Sequence, residues 1–447
     1  MRLVILGAAE SGIGAAVLGQ KKGYEVFVSD SGKIKERYKA ELEARNIPWE
    51  EGGHTMDRIL NANEVVKSPG IPDTVPVIRQ IREKNIPVIS EIEFAGRYTK
   101  ARTVCITGSN GKTTTTSLIF HILEKAGFNV GLAGNIGRSF ALQVAENDKD
   151  WYVIELSSFQ LDGMYSFRAD VAVLLNITPD HLDRYDYKME NYAASKMRIL
   201  QNQRAEDCFI YWQQDEYIPS ELQRLNPTTR LLPFSDAENA KSAAFIGECG
   251  LEVTTPEHFE IPFEATLLQG RHNMRNCMAA ALAARAAGVS IEDIRSGMKD
   301  FSGIEHRLEY AGEAGGIRYI NDSKATNIDA CFCALESMTT PVVLILGGLD
   351  KGNDYATIAP LMREKCRALV FLGVDNTKLR DFFANFGLPT AEVRSMKDCV
   401  EACTNFAKSG DTVLLSPCCA SFDLFRNMED RGDQFKEQVK RLMEVES

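Results

Sequence analysis

An apolar run, Arg102–Thr107 (RTVCIT), empties into Gly108-Ser109-Asn110-Gly111-Lys112-Thr113, and a helix-patterned stretch follows through Lys125. Few short segments restrict a fold so strongly. A glycine-rich turn between strand and helix leaves backbone N–H groups aimed at one point, the arrangement that cradles phosphate oxygens. A lysine and a hydroxyl at the helix start have little packing use. Lys112 suits β- and γ-phosphates and Thr113 suits a Mg2+ ligand. The common form of this loop carries a glycine five positions before Gly111; Ile106 stands there, so a shorter loop, GSNGKT, is present. Leu118, Ile119, Ile122, Leu123 and Ala126 give the helix an apolar stripe, and Gly127 sits at its C-cap.

The rest of the chain alternates in the same way. RLVIL (2–6) ends at Gly7, a helix follows, and YEVFVSD ends at Asp30, which reads as the opening of a doubly wound sheet. The turn from Gly7 to Gly14 is similar to a dinucleotide fingerprint with Ala9 at its second glycine, and Asp30 stands where such folds place a ribose- or base-binding acid. A tight turn that binds nothing is the alternative. EVVKSPGI (64–71) leads to a second Gly/Pro turn at the same sheet edge. WYVIEL (151–156) and DVAVLLN (170–176) are further strands. Residues 205–270 read as irregular short strands, with a small antiparallel patch expected. An alanine-rich helix spans 274–287, and strands recur at 317–321, 341–348, 367–373 and 411–416.

At about 150 residues per domain, 447 residues allow three domains. The expected class is α/β throughout, with a Rossmann-like domain at 1–97, a central phosphate-loop domain with a mostly parallel sheet at 98–301, and a Rossmann-like domain at 302–447. Hydrophobic residues at 44% and charged residues at 25% exclude disorder and coiled coil. Lys+Arg 51 against Asp+Glu 62 leaves −11, which argues against nucleic acid and anionic membranes as partners. The 11 cysteines match no zinc or redox spacing and read as free thiols of a reducing compartment. MRLVILGAAESG is too polar for a signal peptide, and no run spans a bilayer. A cytoplasmic location is expected.

In an open parallel sheet, ligands bind beyond the carboxyl ends of the strands. Glu155 and His181 stand at two such ends, on the side of the phosphate loop. Together they suit a divalent cation better than either does singly.

The ordered segments ITGSNGKTTTT (106–116), GNIG (134–137), ELSSFQL (155–161), NITPDHLDRY (176–185), YAASKMRI (192–199), GRHNMRN (270–276), EHRLE (305–309), NDSKATN (321–327), GGLDKGND (347–354) and SPCCASFDLF (416–425) resemble the Mur ligases. These are ATP-dependent amide-forming enzymes of bacterial cell-wall synthesis. Within the family, ELSSFQL, DSKATN and SPCCASFD most resemble the members that add D-glutamate to UDP-N-acetylmuramoyl-L-alanine. The Asp-Asn-Pro segment of the diaminopimelate- or lysine-adding members is missing.

The resemblance implies that ATP activates a substrate carboxylate as an acyl phosphate, with two Mg2+ ions, or Mn2+ in their place. It assigns ATP to Gly108, Ser109, Asn110, Gly111, Lys112, Thr113 and Thr114, with Asn273 and Asn276 at adenine, Asp322 at ribose, and Arg307 and Lys324 at phosphates. It assigns the metals to Thr113, Glu155, His181 and a carbamylated Lys196; read alone, Lys196 is a solvated helix lysine. The UDP end falls to Ala8, Ala9, Glu10, Ser11, Asp30, Ser31, Ser68, Pro69 and Gly70. The muramoyl-alanine end falls to Asn135, Ser157 and Gln160, with a purely local turn role as the alternative for Asn135. D-Glutamate falls to Thr326, Lys351, Ser421 and the Phe422 backbone. Where the best-known members carry an aromatic seven residues past that serine, this chain has Met428. A monomer is expected. Three rivals remain open: a sister ligase, either another Mur step or folylpolyglutamate synthesis; a phosphate-loop ATPase or kinase that forms no amide; and a nucleotide-binding regulator.

Overall fold

The computed structural model describes residues 1–266, 268, 270–301, 303–350 and 352–446. They build three sheets, of five, nine and six strands. The chain divides into two compact units, Met1–Leu267 with Met274–Phe301, and Leu268–Asn273 with Ser302–Ser447.

In the first unit, the strands Arg2–Leu6, Glu25–Asp30, Trp49–Glu51, Glu64–Lys67 and Val88–Ile89 form an all-parallel sheet. Its spatial order is third, second, first, fourth, fifth, the order of a dinucleotide fold. Leu3–Leu6 have no exposed surface, because helices cover both faces.

The second sheet centres on Arg102–Thr107, flanked by Val171–Leu174 and Trp151–Glu155, all parallel. Val130–Gly134 extends one side, and Cys208–Trp212 and Arg230–Ser235 the other, also in parallel. The expected antiparallel patch is therefore narrower than the sequence reading: only Ala244–Ile246, Gly250–Val253 and Phe259–Pro262 pair antiparallel. The helix Lys112–Lys125 buries Leu118, Ile119, Ile122 and Leu123, the stripe read from sequence, and Gly127 caps it at φ +83°.

The helix Glu91–Gly96 ties these two sheets together. Glu93 is buried and accepts from the N–H groups of Tyr165, Ser166 and Phe167 at 2.9–3.0 Å. Glu91 accepts from Ser139 Oγ (2.7 Å) and the Ala141 N–H (2.6 Å), closing the N-terminus of the helix Phe140–Glu146. Burial pushes the Glu91 pKa up to about 7, with nearby Glu10 adding to the rise and the two hydrogen bonds opposing it.

A carboxyl that holds its proton more tightly when folded stabilises the fold at low pH. That contribution is complete below the unfolded value near 4.5 and is lost as pH rises through about 7. The rise corresponds to about 3 kcal/mol at most. Glu91→Gln keeps the acceptor and carries no charge. Its thermal stability is expected to gain on that of the unsubstituted protein between about pH 5 and about pH 8. Melting curves showing a gap independent of pH would remove the claim.

In the second unit, Ile317–Asn321, Thr412–Cys418, Val342–Gly347, Cys366–Leu372 and Thr390–Val393 run parallel, with Glu309–Ala314 antiparallel at one edge. The helix Met428–Glu446 carries Arg431, only 1% exposed. Its guanidinium donates to Ser323 Oγ (2.9 Å), the Ser323 carbonyl (2.8 Å) and the Cys419 carbonyl (3.1 Å), fastening the Asp322 and Cys419 loops to one another. Among the described residues no helix is long and apolar enough to cross a membrane.

Candidate active site

The site grows from the carboxyl end of the central strand Arg102–Thr107. Gly111 has φ +85°, and a Cβ there would stand 2.4 Å from Asn276 Oδ1, so glycine is required both by backbone and by space. Asn276 thus lies against the phosphate loop. Lys112 Nζ curls back and donates to the carbonyls of Gly108 (2.8 Å) and Ser109 (2.9 Å). Thr113 and Thr114 stand in the first turn of the helix, Thr114 buried.

Lys196, on the helix Met189–Met197, is 1% exposed, and its Nζ also donates to the Gly108 carbonyl, at 2.8 Å. Two lysines therefore converge on one loop oxygen. Burial first, and then the Lys112 charge, drive the Lys196 pKa well below its ordinary value, although Asp180, Asp162 and Glu155 oppose them. Lys196 is thus not the solvated lysine that its helical setting suggests when read alone. The family resemblance singled it out; a local reading could not, because its hydrogen-bond partner, the Gly108 carbonyl, stands far earlier in the chain.

Glu155 ends its strand buried, and Oε1 accepts from Asn135 Nδ2 at 2.9 Å. Oε2 is buried with no hydrogen-bond partner among the described residues. Such an oxygen calls for a cation or a bound water. His181 has φ +52°, and its half-exposed ring meets Phe159 edge-on at 5.3 Å. Asp180 Oδ1 lies 3.6 Å from His181 Nε2. The Glu155 carboxylate ends a strand, the Thr113 hydroxyl stands in the first helical turn and the His181 imidazole lies seven residues past the strand Val171–Leu174; these are donor types that a hard divalent ion takes.

Asn135 serves Glu155 in this structure, through both its side chain and its N–H on the Glu155 carbonyl at 2.9 Å. Ser157 and Gln160 form a capping box on the helix Ser158–Asp162, bonding to one another. Sequence reading did not single out Arg184. Its guanidinium lies 4.3 Å over the Phe159 ring and reaches the Ile71 carbonyl at 3.4 Å. Phe159 lies in the helix Ser158–Asp162, well before Arg184 in the chain, so no local pattern signalled the pair.

The five-stranded sheet brings Gly7, Asp30 and Ser68 together. Asp30 Oδ2 accepts from the Ala8 N–H (2.7 Å) and Oδ1 from the Gly32 N–H (2.8 Å). Oδ2 therefore braces the Gly7 turn, and Oδ1 the turn that follows Asp30. Gly7, at φ +92°, leaves no room for a Cβ, which would meet Ser68 Oγ at 2.5 Å. Ala9, Glu10, Ser31 and Gly70 are exposed around this turn, and Ser11 and Pro69 half-buried.

In the second unit, Asp322 is buried and accepts from Ser416 Oγ (2.9 Å) and the Leu308 N–H (3.3 Å). Burial raises its pKa to about 6, against the pull of Arg307. Arg307 Nε is buried and unpartnered among the described residues. The Lys324 N–H donates to the His306 carbonyl at 3.0 Å, and Asn273 is buried beyond Gly270. Ser421 is buried, Thr326 exposed, and Phe422 67% exposed. The Met428 carbonyl accepts from Ser323 Oγ at 2.8 Å. Lys351 lies outside the described residues.

A phosphate loop at the switch point of a parallel sheet, with a buried acid and two lysines around it, defines a nucleotide-dependent α/β enzyme of the phosphate-loop class. Three family models match: the MurD N-terminal domain over 3–76, the Mur ligase middle domain over 106–284, and the Mur ligase glutamate ligase domain over 306–419. UDP-N-acetylmuramoylalanine–D-glutamate ligase of Bacteroides fragilis is 59% identical over 442 residues, 99% of this chain and 100% of that protein. The like-named protein of Porphyromonas gingivalis is 55% identical over 98% of each chain. Among solved structures, UDP-N-acetylmuramate-alanine ligase of Thermotoga maritima superposes with TM-score 0.64 at 18% identity over 100% of both chains. The Thermotoga maritima MurF ligase in complex with ADP gives 0.61 at 14% identity over 94% of this chain and 96% of that one. The chain belongs to the Mur ligase family.

Proposed function

We propose that this chain is an ATP-dependent ligase that joins D-glutamate to UDP-N-acetylmuramoyl-L-alanine in peptidoglycan precursor synthesis, upstream of cell-wall growth, cell shape and division. The observation that carries the nucleotide chemistry is the convergence of Lys112 and Lys196 on the Gly108 carbonyl. The choice of substrates is supported by full-length relatives that bear that reaction in their names.

Lys112 releases its loop carbonyls and takes the γ-phosphate, while the loop N–H groups of Gly111 to Thr113 hold the neighbouring oxygens. A carboxylate oxygen of the UDP-linked substrate bonds the γ-phosphorus as ADP departs. The amine of D-glutamate attacks the acyl carbon, loses a proton, and phosphate leaves from the tetrahedral intermediate. Bound Mg2+ would neutralise the crowded phosphate charge. Thr113, Glu155, His181 and a carbamylated Lys196 are the residues that would hold it. The depressed Lys196 pKa supplies the neutral amine that carbon dioxide requires.

Ala8 to Ser11, Asp30, Ser31 and Ser68 to Gly70 take the UDP moiety. Asn135, Ser157 and Gln160 border the muramoyl-alanine end. The family resemblance assigns Asn273, Asn276, Arg307, Asp322 and Lys324 to the nucleotide as well. Thr326, Lys351, Ser421 and the Phe422 N–H receive the two carboxylates of D-glutamate, with Met428 reshaping that pocket. The domains are 1–97, 98–301 and 302–447, and the protein works as a cytoplasmic monomer.

The test incubates the protein with ATP, Mg2+ and UDP-N-acetylmuramoyl-L-alanine. D-Glutamate, L-glutamate, L-lysine or meso-diaminopimelate is added singly, and phosphate release is followed. Release that requires D-glutamate is expected. Release indifferent to the amino acid indicates an ATPase, preference for another amino acid a sister ligase, and no release a regulator.

A further inference from the structure

The phosphate loop and the loop that ends at His181 are stitched together. Asn176 Oδ1 accepts from the Asn110 N–H (2.8 Å), and its Nδ2 donates to the Asn110 carbonyl (3.0 Å). The Ser109 N–H donates to the Asn176 carbonyl at 3.0 Å. Ser109 Oγ donates to the Thr178 carbonyl (2.8 Å) and accepts from the Thr178 N–H (2.9 Å). Between them, the Ile177 N–H is taken by buried Asp215 Oδ2 at 2.8 Å. Asp215 Oδ1 meanwhile holds the Tyr217 and Ile218 N–H groups at 2.9 and 3.0 Å.

The strands Arg102–Thr107 and Val171–Leu174 pair in parallel up to Thr107 and Leu174. Past that point Asn176 continues the ladder with its side chain. A primary amide carries a carbonyl and an N–H at the spacing of a peptide, so it can exchange both bonds with one residue's backbone; serine or aspartate cannot. The carboxylate of Asp215 prevents the 176–178 segment from yielding independently. A displacement of Asn110 must therefore be felt at Thr178, three residues before His181.

We propose that Asn176 is a positioning residue that couples the phosphate loop to the His181 loop; His181 is assigned to the ion that would meet the substrate carboxylate, so the nucleotide and the UDP-linked carboxylate substrate strengthen one another's binding. This deepens the ligase reading and rests on it. Coupling between two binding sites is reciprocal, so one titration in each order measures the same factor.

The experiment titrates the β,γ-imido analogue of ATP with Mg2+, and UDP-N-acetylmuramoyl-L-alanine, each alone and with the other saturating, by calorimetry. In the unsubstituted protein each ligand is expected to lower the other's Kd by about fivefold or more. In Asn176→Ala the factor falls below about twofold, and the analogue alone binds about tenfold more weakly, as loss of two neutral hydrogen bonds implies. Asn176→Asp keeps the bond from the Asn110 N–H but sets an anion against the Asn110 carbonyl, and it too loses the coupling. It carries the test if the alanine variant does not fold by circular dichroism.

A purely structural role would reduce the folded fraction and leave the coupling factor of the folded protein unchanged. A factor retained within about twofold in the folded variants overturns the proposal, as does a factor of about one in the unsubstituted protein. Failure of the ligase reading looks different: the unsubstituted protein then does not bind UDP-N-acetylmuramoyl-L-alanine, whether or not it binds the analogue.

Discussion

Replacing Lys112 by alanine is expected to cut ATP-dependent ligation by about a thousandfold or more, the scale of removing one preorganised charge from a phosphoryl-transfer site. The side chain now spans the Gly108 and Ser109 carbonyls, so its charge already sits in the loop before any phosphate arrives. It needs only a short swing to exchange two carbonyls for a phosphate oxygen. Binding of UDP-N-acetylmuramoyl-L-alanine alone should be unaffected, because that substrate is assigned to other residues. Single-turnover phosphate release measures the first effect and calorimetry the second. Turnover within tenfold of normal would place the γ-phosphate elsewhere.

The second large effect concerns Lys196. Lys196→Ala is expected to lose nearly all ligation, by about a thousandfold, and to recover part of it in acetate or another short carboxylate. The physical basis is the crowding at Gly108. Burial weakens the hold of Lys196 on its proton, and the repulsion between two ammonium groups on one carbonyl adds to that. A neutral amine there can accept carbon dioxide, and the resulting anion then attracts the cations that an ammonium would repel. Removing the side chain leaves a cavity that a small carboxylate can enter. Stability should not suffer in proportion, since burying a lysine with a weakened hold on its proton already costs the fold. Full activity in the variant without added carboxylate, or a melting temperature that falls as activity does, would remove the carbamate from the reading.

These two lysines also show where sequence reading succeeds and where it stops. Lys112 is legible because its neighbours are local: strand, glycines and helix start all lie within the same short stretch. Lys196 is not legible from its own segment, because the carbonyl it bonds, that of Gly108, lies 88 residues earlier. The same contrast runs through the fold. The helix Lys112–Lys125 was readable to its last residue from periodicity and a C-cap glycine. The strand Val130–Gly134 was not, since two of its five residues are glycine and it gains its identity from pairing with Trp151–Glu155. Cys208–Trp212 and Arg230–Ser235 looked like an irregular patch but extend the parallel sheet. Parallel pairing comes from crossovers that no short window contains.

Several site residues turned out to have local duties. Asp30 braces the Gly7 turn, Ser157 and Gln160 cap a helix, and Asn135 holds Glu155. A spacing pattern shows that a polar residue stands at a strand end. It does not show whether its hydrogen bonds are already taken.

By itself the sequence determined the alternation of strands and helices, the phosphate loop with its lysine and threonine, and the acids and imidazole that stand at strand ends, because each depends on neighbours a few positions away. Only the tertiary structure decided which of these groups are buried, which oxygen is left without a donor, and that Asn176 links two loops, because burial and hydrogen-bond pairing are set by segments far apart in the chain and brought together by the sheets.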